Sequence, residues 1–235
     1  MAKKKGDRSE LLTSDEMHKL LDIVAPSAYF SALYKVLLYS GRRIGEIYGT
    51  LREGYLTGGV KLEDVNFETQ QMETMILKTK KRKLKLKCLK CEKESSYKNK
   101  FCPICGAEMP PFDKSQLFYD EVEKIIIPVR PEVLFALKAF IGAHKPQFKP
   151  QNFLFREYTQ VYLKKIIKKH CKRAGIKKNF SLHGFRHYFV TQCKRSGMKN
   201  EEIALWTGHK NPATLNLYNR MVPKDVEAKI LAVEL

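Results

Sequence analysis

Acidic residues are scarce in this chain: 25 Asp and Glu face 44 Lys and Arg, a formal net charge of +19 over 235 residues. So unbalanced a surface predicts a polyanionic partner, because each phosphate neutralised releases counterions. Charge alone would also suit a ribosomal or merely soluble basic protein. Long hydrophobic runs are missing too, so no stretch can span a bilayer, and no secretory leader follows the basic start Met1-Ala-Lys-Lys-Lys. A membrane partner is not expected; a cytoplasmic, nucleoid-associated protein is. There is no internal repeat and no low-complexity segment beyond the lysine runs. Six cysteines in such a chain point to metal or inert burial before disulfides.

With 43% apolar residues, the chain can bury a full core as one large domain or a domain plus an insert. Thr13 and Glu16 form a capping-box pattern that opens a helix through Leu20, Leu21 and Ile23, ended near Pro26. Ala28 to Tyr39 is apolar on every side, which predicts a buried helix. It runs into Ser40-Gly-Arg-Arg-Ile-Gly-Glu46. The turn-rich stretch after Leu51 predicts loop, with a strand near Val60–Leu62 or Val65–Phe67. Met72 to Lys78 alternates as a strand does, and Glu123 to Val129 is its natural partner. Pro131 to Phe140 predicts a helix. So do Tyr158, Tyr162, Leu163, Ile166, Ile167 and His170, within a span whose residues 161–178 hold eight basic groups and no acidic one.

Between the paired strands lie Cys88-Leu-Lys-Cys91 and Cys102-Pro-Ile-Cys105. Two C-x-x-C knuckles ten residues apart let four thiolates meet on one ion in the closed arrangement that structural zinc prefers; two disulfides or an iron–sulfur cluster are the alternatives. With no open coordination position the metal would be a folding staple and not a catalyst. Eleven Lys and Arg between Lys78 and Lys100, against Glu92 and Glu94, suggest an arm that touches DNA backbone. Cys171, Cys193, His18, His144, His170 and His187 are expected to be ordinary packing residues.

The stretch from Ser181 to Tyr218 concentrates phosphate chemistry. His183 and Arg186 are three apart on an expected helix and should share a face. Gly197 should end that helix at C′, and Asn200 should cap the next, with Glu201 and Glu202 in its first turn. Gly208 closes it and delivers His209; Asn211-Pro212 then opens a last short helix leading to Tyr218.

His183-x-x-Arg186, Gly208-His209 and Tyr218 nine residues on together resemble the second box of the tyrosine recombinases, the phage integrase family that includes the Xer, lambda and Cre enzymes. The 26-residue step from His183 to His209 is also usual there. Gly41, Arg43 and Glu46 resemble the segment of the family's first catalytic arginine. Arg42 stands where the family is usually apolar, so the two arginines compete, and the spacing favours Arg43. The family presents a catalytic lysine from a strand hairpin. Lys78 is the first choice here, with Lys80 and Lys81 also open.

The resemblance covers about Leu12 to Arg220 apart from the loop near Gly54 and the cysteine insert. It implies a mainly α domain with a small antiparallel β-sheet, the DNA breaking-rejoining fold, plus a small zinc-binding insert. The implied organisation is a basic arm over 1–11, a catalytic domain over 12–220, a zinc-knuckle insert over 79–122 and a C-terminal helix over 221–235. The family's separate N-terminal helical domain is missing from the sequence, so the chain is expected to be a catalytic fragment or a minimal enzyme. The implied activity is site-specific recombination or integration through a 3′-phosphotyrosyl intermediate. Catalysis would fall to Arg43, Lys78, His183, Arg186, His209 and Tyr218, with structural zinc on Cys88, Cys91, Cys102 and Cys105 and no catalytic metal. The implied partners are double-stranded DNA and further copies of the chain, as a dimer or tetramer on DNA, in a prokaryotic, viral or mobile-element setting. A type IB topoisomerase-like relaxing enzyme and a catalytically inactive zinc-containing DNA-binding factor are the rivals.

Overall fold

The computed structural model describes residues 10–52, 55–76, 85–111, 123–143, 149–208, 213 and 215. Helix α1 (Ser14–Val24) begins at the predicted capping box. The Glu16 amide donates to the Thr13 hydroxyl at 3.2 Å and the Thr13 amide to the Glu16 carboxylate at 2.7 Å, so two otherwise unpaired donors are satisfied. Helix α2 (Ala28–Ser40) follows, capped by Ser27, and ten of its thirteen residues are buried. It is the centre of the core, packed against α1, α4 (Pro131–Ala143) and α6 (Gly184–Arg195). Truncating a leucine there, such as Leu33 or Leu37, would cost about 2–5 kcal/mol in lost burial plus cavity.

A three-stranded antiparallel sheet joins β3 (Val65–Asn66), β4 (Gln71–Ile76) and β7 (Glu123–Pro128) in the order β3-β4-β7. Met72, Thr74 and Ile76 alternate inward along β4, the pattern visible in the sequence. Pairing with β7 runs from Gln71↔Pro128 to Ile76↔Glu123, with an ion pair between Glu73 and Lys124 across the ladder. The cysteine segment is thus an excursion from a hairpin already closed at its base. It holds its own pair, β5 (Lys85–Lys87) and β6 (Glu94–Ser96), and a separate small core of Cys88, Cys102 and Met109.

Helix α5 (Gln160–Arg173) lays Leu163, Ile167, His170 and Cys171 inward and its lysines outward. His170 is a core histidine, its Nδ1 2.9 Å from the Tyr34 hydroxyl. Short α3 (Ile44–Tyr48) and α7 (Asn200–Thr207) complete the helices described. No described helix is long and apolar enough to cross a membrane.

Three local expectations are corrected. The stretch after Leu51 is not plain loop but a hairpin of β1 (Thr50–Arg52) and β2 (Tyr55–Thr57), and residues 62–64 form a 3-10 turn, leaving Val65–Asn66 as the strand. The cap of α7 is Lys199, one residue before the expected Asn200; Glu202 accepts from the Lys199 amide at 2.6 Å, and that bond sets the start. His183 and Arg186 differ in burial: His183 is the exposed cap residue before α6, not a residue within it as expected, whereas Arg186 lies inside the helix and is buried.

Candidate active site

Helix α2 ends at Gly41, whose φ of 62° is left-handed and whose missing Cβ would lie 2.2 Å from the Phe189 ring; both demand glycine. The next two residues part company. Arg42 turns inward, 1% exposed, and its Nε pairs with Glu46 Oε2 at 3.2 Å. Its Nη2 donates to the Met75 carbonyl at 3.1 Å and its Nη1 to the Trp206 carbonyl at 3.3 Å. Arg43 turns outward with its side chain 37% exposed. Its amide donates to Glu46 Oε2 at 2.9 Å and its Nη1 to Glu46 Oε1 at 3.0 Å. One fully buried carboxylate therefore serves two guanidinium groups, and the balance is positive.

Arg186 adds a third. It is 1% exposed, and its Nη1 donates to the carbonyls of Gly41 at 3.0 Å and Thr207 at 2.9 Å. The Trp206 indole donates to the Ser40 carbonyl at 3.0 Å. Together these bonds stitch the end of α2, the first turn of α6 and the last turn of α7 into one joint. Gly208 closes α7 at φ 69°, and a Cβ there would stand 3.2 Å from Ile76 and 3.3 Å from Arg42 Nη1. The chain therefore departs towards residue 209 from beside the last residue of β4, which departs towards residue 78.

His183 opens on a 290 Å³ pocket, shared with Ile44, Lys164 and Lys168, next to Arg43 in sequence. Its ring meets that of His187 edge-on, centroids 4.6 Å apart. Burial, and then the neighbouring Arg186 charge, hold His187 below the usual histidine pKa. At the far end of α6, the buried Lys194 ammonium donates to the carbonyl of Leu215, which is itself sealed among Val190, Ile203 and Ala204. That anchors the chain three residues before position 218. Lys78, Lys80, Lys81, His209 and Tyr218 lie outside the described residues.

In the insert, the sulfurs of Cys88 and Cys105 are 3.6 Å apart, as are those of Cys91 and Cys102, and all four lie within 4.8 Å of one another. A tetrahedron with metal–sulfur distances of ~2.3 Å has edges of about 3.8 Å, so the set fits a metal ion such as zinc. All six cysteines are free thiols. The knuckles repeat one backbone pattern. Cys88 donates to the Lys93 carbonyl and Glu92 to that of Cys88; Cys102 donates to Ala107 and Gly106 to Cys102. The position of Glu92 and Gly106 is left-handed in both, φ 60° and 69°. Backbone N–H groups of Cys91 and Lys90 aimed at its sulfur draw the Cys88 thiol down to about 6, and those of Cys105 and Ile104 lower Cys102 in the same way. Burial and the neighbouring sulfurs of Cys105, Cys102 and Cys88 push the Cys91 thiol up to about 12, so of these three thiols Cys88 and Cys102 are the ones disposed to ionise as a metal ligand must.

The model of the phage integrase family matches residues 121–224. Two tyrosine recombinases are similar over the same order of length: one from Pseudothermotoga lettingae, 24% identical over 103 residues, and one from Thermosipho africanus, 26% identical over 111. These alignments take in 43% and 47% of this chain but only 35% and 38% of the relatives, so the chain spans little more than a third of their length. The fold resembles that of XerA recombinase (TM-score 0.65, 17% identity, all of this chain and 68% of that one). It also resembles the Tn1549 transposon integrase in complex with circular intermediate DNA (0.59, 17%, 99% and 68%) and the catalytic domain of bacteriophage HP1 integrase (0.52, 13%, 96% and 95%). The mainly helical domain with its small antiparallel sheet is the tyrosine recombinase catalytic fold.

The integrase-family match contains His183, Arg186, His209 and Tyr218; Arg43, Lys78 and the four knuckle cysteines lie before it. Arg186 bonds to the carbonyl of Gly41, two residues before Arg43, and Ile44 and His183 line one pocket. Two buried groups carry little sign in the sequence. Arg42 stands there only as a rival to Arg43, although its i,i+4 spacing to Glu46 is a usable sign of pairing. Lys194 gave no sign, because a lysine near a helix end is ordinarily solvated.

Proposed function

We propose that the chain is the catalytic domain of a site-specific DNA recombinase or integrase that cuts and rejoins DNA through a phosphotyrosyl intermediate. The observation that carries this is the Arg186 guanidinium bonded to Gly41 and Thr207, which gathers the segments of Arg43, His183 and His209. Three guanidinium groups beside the one carboxylate of Glu46 buried among the described residues favour a bound anion, and a phosphodiester suits the forked donors.

In this reading the Tyr218 oxygen attacks the scissile phosphorus as the P–O5′ bond breaks. His183 takes the phenolic proton and Lys78 protonates the departing 5′ oxygen, so the proton count closes. Arg43, Arg186 and His209 stabilise charge on the non-bridging oxygens. A 5′ hydroxyl from another strand reverses the step without ATP, because the ester keeps the bond energy. Arg42, already bonded to Glu46 and two carbonyls, is left out of the phosphate's coordination. Zinc on Cys88, Cys91, Cys102 and Cys105 would only hold the insert in shape, with the lysines around it on DNA backbone. The catalytic domain is assigned to 12–220, the zinc insert to 79–122, the arm to 1–11 and the C-terminal helix to 221–235, acting in the cytoplasm as an assembly of copies on duplex DNA.

A nicked suicide duplex tests the reading. Wild type should give a covalent adduct on a denaturing gel, and Tyr218→Phe should bind the duplex as tightly and give none. Adduct in that variant would name another nucleophile, and no adduct from wild type on any duplex would remove the enzymatic reading.

A further inference from the structure

We infer that Arg42 is a positioning residue: a buried clamp that sets the mutual placement of the segments carrying Arg43, Lys78 and His209, without itself touching the phosphate. The inference rests on the recombinase reading for its kinetic consequence and on geometry for its structural one.

Each bond of the guanidinium leads to a different segment. Nη2 holds the carbonyl of Met75, three residues before Lys78. Nη1 holds the carbonyl of Trp206, three residues before His209. The same guanidinium forms an ion pair with Glu46, whose other oxygen accepts from Arg43. The strand β4 and the helix α7 are otherwise distant in sequence, 131 residues separating Met75 from Trp206.

Stability does not account for such a group. Burying a guanidinium carries a large desolvation cost, and replacing a buried ion pair by apolar side chains is often neutral or better. What apolar packing cannot supply is direction. A planar fork with donors at fixed angles holds two carbonyls in one relative arrangement while its charge is paired by Glu46, whereas a leucine would leave β4 and α7 free to slide. Lysine, with a single ammonium, cannot reach all three acceptors in that plane. Glycine at 208 belongs to the same arrangement, because a Cβ there would stand 3.3 Å from Arg42 Nη1 and press on the clamp.

The experiment measures single-turnover cleavage of a suicide duplex at saturating DNA, beside the Kd for the same duplex, for Arg42→Leu, Arg42→Lys and Arg42→Ala. A displaced catalytic group of this kind lowers the rate by about 100-fold. Arg42→Leu and Arg42→Lys should show such a fall with Kd changed less than about threefold, a smaller shift than loss of even one charged contact produces. Free guanidinium at a non-denaturing concentration should restore part of the rate to Arg42→Ala and add nothing to Arg42→Leu, where the space is filled. Wild-type cleavage by Arg42→Leu overturns the inference, and so does a parallel loss of rate, duplex binding and thermal stability, which would mean a general role in folding. If wild type itself forms no adduct, the recombinase reading fails and the clamp is judged by amide exchange. Faster exchange of the Gly208 amide, bonded to Ala204 in wild type, supports it in Arg42→Leu, and unchanged exchange refutes it.

Discussion

Lys194 and Leu215 are tied by a hydrogen bond from the ammonium to the backbone carbonyl across 21 residues of sequence. The lysine is buried, which lowers its pKa, and the leucine is sealed against α6 and α7. Lys194→Met keeps the bulk and removes the donor, leaving a buried carbonyl unpaired at a cost of about 1–3 kcal/mol. Suicide-substrate adduct should fall while duplex binding stays near wild type. An unchanged adduct yield would show that the approach of residue 218 does not depend on this anchor.

Acid should loosen the fold through two histidines. His170 is held below its usual pKa of 6.5 by burial and then by Arg173, and His187 by burial and then by Arg186. Each therefore gives up its proton more readily in the folded chain than in the unfolded one, so the unfolded chain binds more protons and stability rises with pH. The contribution is complete above 6.5 and is lost as pH falls through the lowered folded values. Urea midpoints should drop between pH 7 and pH 5, and His170→Gln should flatten that slope by removing one of the two groups.

The knuckle at Glu92 is the weaker of the pair. Its φ of 60° is a conformation that glycine adopts freely, as Gly106 does in the equivalent place. Glu92→Gly should relieve about 1 kcal/mol of strain, more than the exposed Lys87 contact it gives up. Competition with a chromogenic chelator should show tighter metal retention. Elemental analysis should find one zinc per chain, lost when Cys88 and Cys102 are both changed to Ser.

Gly41 has no substitute. Gly41→Ala places a Cβ 2.2 Å from Phe189 and forces a left-handed alanine, so several kcal/mol should be lost from stability. A shift of the denaturant midpoint of less than a tenth of its value would show that the α2 terminus can relax around the clash.

Much of this protein is written in short-range pattern. The Thr13–Glu16 box, the apolar circumference of α2, the alternation along β4 and the paired cysteine knuckles each arise from residues a few positions apart, whose bonds form whatever the rest of the chain does. The start of α7 slipped by one residue because Glu202 competes for the cap within a single turn. By itself the sequence also determined the excess of positive charge and the spacing of His183, Arg186, His209 and Tyr218. Its spacing favoured Arg43 over Arg42 for the phosphate, but it gave Arg42 no place of its own. Neighbours in the chain differ little in intrinsic preference, and their fates diverged only when the carbonyls of Met75 and Trp206 arrived from far along the chain to receive one of them. Only the tertiary structure decided that Arg42 and Lys194 would be buried, because the acceptors that make a buried charge tolerable were assembled by packing and not by adjacency.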